Sequence, residues 1–309
     1  MKLKLKEPIG HLKFIEKIKQ KLNFKKEFVF KKERGENILF LGTIGSAKSE
    51  SMLSFFYELL DNNIIDKSIH FNGRDRFFDN KFIKVINNYN DLKINCFDVL
   101  EEKGKDSYLN LNFKNKKIIN IINNCNYTIF NIPCYATFNK SYREQMFAPM
   151  ISYLINLPTN KENKEIPIFF EDLSSLDYEH FFIFKRVLKI LNKKGYFAVC
   201  GIEDYQPSLT EEELIKNLEN NFQHAFVMKL EIFGQDYLIN YFKKFNFKKE
   251  VTKLIPGEYF YLYNFNVTSR KSRFFSYNLN KNMKKLDNYK IILKEDIDKK
   301  INEEKIKQF

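Results

Sequence analysis

The chain has 309 residues, of which 44% are hydrophobic and 29% are charged. A chain of this length and apolar content can bury one large or two small cores, so a mainly disordered protein is excluded. No apolar stretch is long enough to span a bilayer, and the charged N-terminal segment lacks the apolar centre of a secretory signal. The composition therefore predicts a globular cytoplasmic protein without a membrane span of its own.

The formal net charge of +13 is concentrated at the two ends of the chain. Residues 1–34 carry a net charge of +8 and residues 278–309 a net charge of +3, whereas residues 35–277 carry only +2. Basic ends favour contact with a phosphate backbone or an anionic membrane surface. An excess of Lys, Asn, Ile and Phe without Trp is also expected of a chain encoded by AT-rich DNA, so charge alone leaves DNA contact open.

Charge and periodicity together predict three regions along the chain. A basic N-terminal segment (1–35) contains a short amphipathic helix within residues 8–23. A globular domain (36–277) follows, and a charged, helix-prone tail (278–309) ends the chain. Within the domain, residues 61–125 are rich in Asn and Lys with weak periodicity, so they are treated as a possible insertion.

Short apolar runs alternate with amphipathic segments through the globular domain. Continuous apolar runs predict buried strands, and apolar residues at helical spacing predict helices. The predicted strands are 36–41, 94–99, 128–133, 166–170, 196–202, 225–233, 258–267 and 270–277. The predicted helices are 48–61, 140–157, 178–193, 211–221 and 234–250. This alternation predicts an α/β fold with a mostly parallel central sheet and helices on both faces.

A phosphate-binding loop is predicted directly after the first of these strands. The sequence GTIGSAKS matches G-x-x-x-x-G-K-[ST] except at its sixth position, and it lies between a strand and a helix. Backbone amides of such a loop surround the phosphates, its lysine reaches the β- and γ-phosphates and its serine holds Mg²⁺. The residues predicted to bind nucleotide are Gly42, Thr43, Ile44, Gly45, Ser46, Ala47, Lys48 and Ser49.

Ala47 stands where the pattern has its last glycine. The added methyl group is expected to crowd the nucleotide or strain the loop. Alanine is the smallest possible change, so weaker rather than absent binding is expected. The competing interpretation is a chance strand, loop and helix without nucleotide.

A pair of acids is predicted at the end of the strand 166–170. Glu171 and Asp172 follow an apolar run, and a P-loop enzyme needs an acid at the end of a neighbouring strand to order Mg²⁺. A second acid beside it orients and deprotonates the attacking water. We assign Glu171 to Mg²⁺ and Asp172 to the water. The usual order of such a pair is Asp then Glu, so the two roles could be exchanged, and a solvated strand end would show the same pattern.

The ordered set of motifs resembles the FtsK/HerA superfamily of DNA-pumping ATPases, which includes conjugative coupling proteins and viral packaging motors. The phosphate loop is similar to the family's GTTGSGKS, and the acidic segment is similar to its DEFADL. The resemblance covers about 36–277, with a poorly matched stretch at 61–125. The segments that carry it are GTIGSAKS (42–49), EDLSSL (171–176), KKGYFAVCGIEDYQPS (193–208), FVMKLEIF (226–233) and LIPGEYFYL (254–262).

The resemblance implies a RecA-like P-loop NTPase that binds ATP and Mg²⁺ and hydrolyses ATP to move DNA. It further implies a homohexameric ring acting in conjugative transfer, or in viral genome packaging or extrusion. Partners would then include a membrane channel or a capsid portal, and the channel would bring the protein to the inner face of the cell membrane. The transmembrane helices of coupling proteins and the winged helix of cell-division members are missing from the sequence, so a bare motor is expected.

Two further roles in the family are harder to place on this sequence. The sensor glutamine falls at Glu203 when counted from Gly195 and at Tyr205 when counted from Pro207-Ser208. Gln206 lies nearby, and we rank it slightly above Glu203. The family also supplies an arginine from the adjacent subunit, for which a surface salt bridge is the alternative use. The candidates are Arg143, Arg186, Arg270 and Arg273.

Two alternatives to a DNA motor are left open by the sequence. One is another kind of P-loop NTPase, such as an AAA-type remodeller or a kinase, although no Arg-rich lid is evident. The other is a degenerate subunit that binds ATP without turnover, which Ala47 and the inverted order of the two acids would favour. Assembly mass separates the first from a ring, and ATP turnover separates the second.

Overall fold

The structure is a computed structural model in which the chain forms two compact units. The first unit comprises Met1–Ile64 and Val199–Asn278, and the second comprises Ile65–Ala198 and Leu279–Phe309. Within the residues that it describes, no helix combines the length and apolar character needed to cross a bilayer. The described residues are 2–5, 28–43, 45–72, 94–98, 127–131, 147, 150–171, 173, 178–203, 211–230, 251–267 and 272–273.

Strands and helices alternate along much of the described chain. The strands are β1 (Lys2–Leu5), β2 (Phe28–Lys31), β3 (Ile38–Gly42), β4 (Ser68–Asn72), β5 (Ile94–Asp98), β6 (Tyr127–Asn131), β7 (Ile166–Phe170), β8 (Tyr196–Glu203), β9 (His224–Val227), β10 (Glu258–Tyr263), β11 (Asn266–Val267) and β12 (Ser272–Arg273). The helices described from end to end are α1 (Lys48–Asp61), α2 (Tyr178–Lys193) and α3 (Glu211–Asn221).

The first unit is built around strand β3. Strands β8 and β9 lie on either side of β3 and run parallel to it. Strand β10 continues the sheet antiparallel to β9, and β11 and β12 pair with β10 in antiparallel register. Strands β1 and β2 form a separate antiparallel pair. The carboxyl ends of β3, β8 and β9 therefore meet at one edge of this sheet.

Aromatic side chains fill the core of the first unit. The rings of Phe40 and Phe226, on β3 and β9, stack with centroids 4.8 Å apart. Phe55 of α1 meets both Phe30 and Phe40 edge-on, at 5.6 and 6.0 Å. Such edge and offset contacts add to the free energy gained by burying the rings. Helix α1 is thus fixed against β3 by its buried face, which leaves its N-terminus at the end of that strand.

A polar network at the start of β3 ties this strand to β9 and β10. Buried His224 bonds to Glu36 through Nε2 at 2.8 Å and to the Tyr261 hydroxyl through Nδ1 at 2.6 Å. Tyr263 donates to the other Glu36 oxygen at 2.9 Å. Burial would raise the pKa of Glu36, but hydrogen bonds from the Glu33 amide, His224 and Tyr263 lower it below its ordinary value. The network satisfies a half-buried carboxylate at the edge opposite the predicted loop.

The second unit contains a run of parallel strands in the order β5, β6, β4 and β7. Cross-strand pairs stack on β4 and β7, where Phe71 lies over Phe170 at 5.1 Å and His70 over Phe169 at 4.7 Å. Parallel strands that are covered on both faces have continuous apolar sequences, and the IPIFF segment of β7 has this pattern. Every described strand of this unit ends at the same edge.

Helix α2 belongs to the second unit, where one of its faces is buried and the other is exposed. Its buried residues recur at helical spacing, and Gly195 follows the helix with a φ of +85° that suits a glycine stop. The amide of Gly195 donates to the Asn192 carbonyl at 3.2 Å. The buried residues of α2 are Phe181, Phe184, Val187, Leu188 and Leu191.

We expect the buried His70 to make the protein less stable in acid. Burial lowers the pKa of His70 to about 3, and Ser68 Oγ bonds to its Nε2 at 2.7 Å. The unfolded chain therefore binds one more proton than the folded chain between the two pKa values, so stability falls as pH drops below about 6.5. In denaturant titrations at pH 8, 6 and 5, His70→Gln should reduce the dependence of the unfolding free energy on pH by up to about 1.4 kcal/mol per pH unit. An unchanged slope would contradict the assignment.

Most predicted elements that fall on described residues are confirmed. Strands β3, β5, β6, β7 and β8 and helices α1, α2 and α3 lie where the sequence predicts them, and 150–156 is helical. Strand β4 was not predicted, because its polar Ser68 and His70 break the apolar pattern although both are buried. The predicted helices at 8–23 and 234–250 and the tail lie outside the described residues.

Two predicted strands are shorter than the sequence suggested. Strand β9 ends at Val227, whereas the prediction ran to residue 233. The prediction of one strand over 258–267 is wrong, because β10 and β11 form a hairpin around Asn264 and Phe265. Both turn residues have positive φ, of 46° and 53°, as a two-residue hairpin turn requires. Asn accepts this conformation, but Phe gave no turn signal.

Candidate phosphate-binding site

The predicted phosphate loop connects β3 to α1 in the first unit. Strand β3 is buried throughout, and the chain leaves it at Gly42 to enter α1 at Lys48. Ser46 donates its amide to the Thr43 carbonyl at 3.2 Å, which closes a tight turn within the loop. The structure thus forms the strand, loop and helix that the sequence predicts. Ile44 lies outside the described residues.

Gly42 is the point of closest packing in the loop. A Cβ atom at this position would lie 3.0 Å from the Met228 Cβ, 3.2 Å from the Lys229 carbonyl oxygen and 2.8 Å from Ser46 Oγ. The amide of Thr43 donates to that same Lys229 carbonyl at 2.9 Å. The chain after β9 therefore presses against the base of the loop, and only a residue without a side chain fits between them.

The Lys48 ammonium group lies against the loop backbone. Lys48 is 6% exposed, and its Nζ donates to the carbonyl oxygens of Gly42 and Thr43 at 2.7 and 2.8 Å. A buried ammonium group is stabilised by such acceptors and attracts anions. This arrangement places a positive charge within the turn that the amides of the loop form.

Ala47 adopts the left-handed conformation that the missing glycine would adopt freely. Its φ and ψ are 68° and 34°, and a non-glycine residue there costs about 1–2 kcal/mol. Gly45 also has a positive φ, of 79°, and a Cβ atom there would meet nothing within 4 Å. The substitution at Ala47 therefore adds strain to the loop while the left-handed backbone conformation is retained.

Several polar groups of the loop are suited to an anionic ligand. Ala47 occupies the N-cap of α1 without a side-chain cap, so amides of the first helical turn keep their donor capacity. The hydroxyls of Thr43 and Ser46 are buried and, within the described part of the chain, make no hydrogen bond. Ser49 lies in the first turn of α1 and is half-buried. Together with Lys48, these groups fit the phosphates of a nucleotide.

The end of β8 lies next to the phosphate loop. Gly42 and Glu203 are directly paired in the parallel register of β3 and β8. Ligands of open α/β sheets bind at the carboxyl ends of the strands, and Glu203, the last residue of β8, stands at that edge beside Gly42. Of the two sensor candidates, Glu203 ends β8, whereas Gln206 lies outside the described residues.

A turn before β10 makes a direct contact with the loop. Gly257 has a φ of +85°, and its amide donates to the Ser46 carbonyl at 3.0 Å. The carbonyl of Ile255 accepts from the Glu258 amide at 3.0 Å, which closes the turn. Neither this contact nor that of Lys229 is predictable from the sequence, because motif spacing carries no signal for pairing between distant segments. The glycine of LIPGEYF was the only residue whose type indicated a positive φ in this segment.

Glu171 lies in the second unit, immediately after β7. It is 6% exposed, and its amide donates to the Phe71 carbonyl at 3.1 Å. The register of β4, β6 and β5 aligns Asn72, Asn131 and Asp98 at the same edge of this unit's sheet. Glu171, the acid predicted for Mg²⁺, is therefore a buried carboxylate that follows the end of a strand. The neighbouring strands β4, β6 and β5 also end on polar residues at this edge. Asp172 lies outside the described residues.

The candidate arginines are only partly covered by the structure. Arg186 is on the exposed face of α2, and its guanidinium carbon lies 4.5 Å from the Phe182 ring centroid. Arg273 ends β12, paired with Glu258 of β10 in register. Arg143 and Arg270 lie outside the described residues. The contact with Phe182 gives Arg186 a cation–π partner on the surface.

Comparison with known proteins identifies the fold. A scan against protein-family models gives no match, and a search of curated proteins gives none. Three solved structures align with most of the chain. They are a bacterial conjugative coupling protein, TrwBdeltaN70 (TM-score 0.56, 9% identity, 82% of this chain and 87% of that one), VirB4 of Thermoanaerobacter pseudethanolicus (0.53, 8%, 78% and 89%) and the genome packaging NTPase B204 of Sulfolobus turreted icosahedral virus 2 (0.47, 8%, 78% and 98%).

The fold assignment rests on the coupling protein and VirB4, whose TM-scores exceed 0.5. The chain has a RecA-like P-loop α/β fold with mostly parallel strands, so the predicted fold class is confirmed. The predicted resemblance to the FtsK/HerA superfamily is confirmed at the level of fold. At 8–9% identity this likeness carries no residue roles, which depend on the geometry of this chain.

Proposed function

We propose that this protein is an ATPase that uses ATP hydrolysis to move DNA and that works as a homohexameric ring. The phosphate loop is the observation that carries the proposal. It combines a buried lysine, an uncapped helix N-terminus and two buried hydroxyls at the carboxyl end of a parallel strand. This set of donors suits a triphosphate.

The proposed roles follow the chemistry of each side chain. Lys48 and the loop amides would bind the β- and γ-phosphates. Ser49 of the first unit and Glu171 of the second are the proposed oxygen ligands for Mg²⁺, which would neutralise phosphate charge. Hydroxyl and carboxylate oxygens are the hard ligands that Mg²⁺ prefers. Asp172 orients the attacking water, and Gln206, or Glu203 in its place, senses the γ-phosphate.

Movement of DNA is the more specific part of the proposal. It is supported by the ordered motifs of the sequence and by the fold shared with a conjugative coupling protein. Conjugative transfer is therefore the first setting to test, with a membrane channel as the partner; viral packaging with a capsid portal is the second. The basic ends of the chain supply charge for a phosphate backbone.

The test combines ATP turnover with the mass of the assembly. Purified protein should hydrolyse ATP faster when DNA is added, and its mass in the presence of ATP should be that of a ring. A monomer whose turnover ignores DNA would indicate another P-loop NTPase, such as a kinase. Binding of ATP without turnover, with or without DNA, would indicate a degenerate subunit.

Glu171→Gln should separate binding from turnover. The change keeps the size of a buried side chain but removes the charge proposed to hold Mg²⁺, so turnover should fall about 100-fold. The affinity for ATP should stay within a few-fold of the parent, and half-maximal turnover should need more Mg²⁺. Glu162→Gln, an exposed acid of the same unit, is the matched control. Equal turnover in both variants would remove Glu171 from the site.

A further inference from the structure

The turn that precedes β10 lies between two buried side chains and is closed by its own hydrogen bonds. Leu254 and Tyr259, which flank it, are 2% and 1% exposed. Inside the turn, the Ile255 amide donates to Glu258 Oε2 at 3.0 Å, and the Glu258 amide donates back to the Ile255 carbonyl at 3.0 Å. These paired hydrogen bonds fix the backbone around Gly257, so this amide has a set direction.

We propose that Gly257 is a positioning residue that holds the phosphate loop in its nucleotide-binding form. The inference rests on the proposed binding of nucleotide by this loop. The Gly257 amide donates to the Ser46 carbonyl at 3.0 Å, and in a trans peptide the carbonyl and the following amide point in opposite directions. Fixing the Ser46 carbonyl therefore directs the Ala47 amide away from the turn, where it joins the uncapped amides of α1.

The departure from glycine at Ala47 makes this contact more important. Ala47 is held in a left-handed conformation that a residue with a side chain leaves readily. The hydrogen bond from Gly257 holds the peptide group between Ser46 and Ala47, so it opposes that relaxation. The strain at Ala47 and the hydrogen bond from Gly257 are thus coupled. The loop depends on this hydrogen bond more than it would with glycine at position 47.

The need for glycine at position 257 follows from its own backbone. Its φ is +85°, where any side chain is strained. Gly257→Ala should therefore displace the amide from Ser46 and weaken ATP binding by about 3- to 10-fold, as for the loss of one hydrogen bond. The KM for ATP should rise in the same proportion, with kcat changed less than twofold.

A double-variant cycle distinguishes positioning from a general loss of stability. Ala47→Gly relieves the strain, so Gly257→Ala should cost less affinity in that background than in the parent. Gly35→Ala is the matched control, because Gly35 lies in the same unit with a φ of 78° at the opposite end of β3. It should lower stability without changing the affinity for ATP. If Gly257→Ala does not fold, Glu258→Ala loosens the turn while keeping the Gly257 amide and should give a smaller change in the same direction.

ATP binding is measured by titration calorimetry below the unfolding temperature, without DNA. A parent protein that binds ATP and a Gly257→Ala variant that binds equally well would overturn the inference and leave the proposed function standing. Additive losses in the cycle, or an equal loss in Gly35→Ala, would also overturn it. A parent protein that binds no ATP would overturn both.

Discussion

Lys48→Ala should reduce ATP turnover at least about 100-fold and abolish measurable ATP binding at micromolar protein, because charge-assisted hydrogen bonds to phosphate are lost. The effect is large because Lys48 is the ammonium group that the loop itself surrounds. Its Nζ lies 2.7 and 2.8 Å from two loop carbonyls, so it is already oriented toward the turn. Steady-state turnover and calorimetric binding of ATP measure the change.

Lys67→Ala is the matched control for this experiment. Lys67 is an exposed lysine whose ion pair with Glu162, at 2.9 Å, contributes little to stability. Its replacement should leave turnover unchanged. Thermal unfolding of both variants shows whether Lys48→Ala is folded at the assay temperature. A folded Lys48→Ala protein that keeps half of its turnover would exclude Lys48 from the site.

Gly42→Ala should lower the free energy of unfolding by about 1–3 kcal/mol and also prevent ATP binding, since the new methyl group overpacks the base of the loop. The Ser46 hydroxyl can rotate away, but the Met228 Cβ and the Lys229 carbonyl, at 3.0 and 3.2 Å, move only with the backbone. The backbone of the chain after β9 must therefore shift by a few tenths of an ångström at the base of the loop. Urea titration followed by circular dichroism measures the loss.

Gly45→Ala provides the comparison for Gly42→Ala. A Cβ atom at Gly45 meets nothing within 4 Å, so only its positive φ opposes alanine. Its stability should fall by about 1 kcal/mol, which is the conformational effect without the steric one. Equal losses in the two variants would mean that the contact with Met228 and Lys229 has no part in the stability of the loop.

The sequence predicts the local parts of the site and misses the long-range ones. A phosphate loop is encoded by consecutive residues, so its strand, turn and helix are recognisable from spacing alone. The hydrogen bonds from Thr43 to Lys229 and from Gly257 to Ser46 join distant segments, which no local pattern encodes. Strand β4 was missed for a related reason, because the stacking of His70 on Phe169 joins two strands that are far apart in the sequence.

The hydrogen bonds that distant segments make with the loop also determine when the site can form during synthesis of the chain. The motif residues lie near the beginning of the chain, but Lys229 and Gly257, which hold their backbone, lie far towards its end. Contacts between distant segments form only after the intervening chain has closed. A nascent chain still attached to the ribosome therefore carries the motif long before the contacts from Lys229 and Gly257 can form. Truncated products that end before Gly257 should compete poorly for nucleotide, even though they contain the whole of GTIGSAKS.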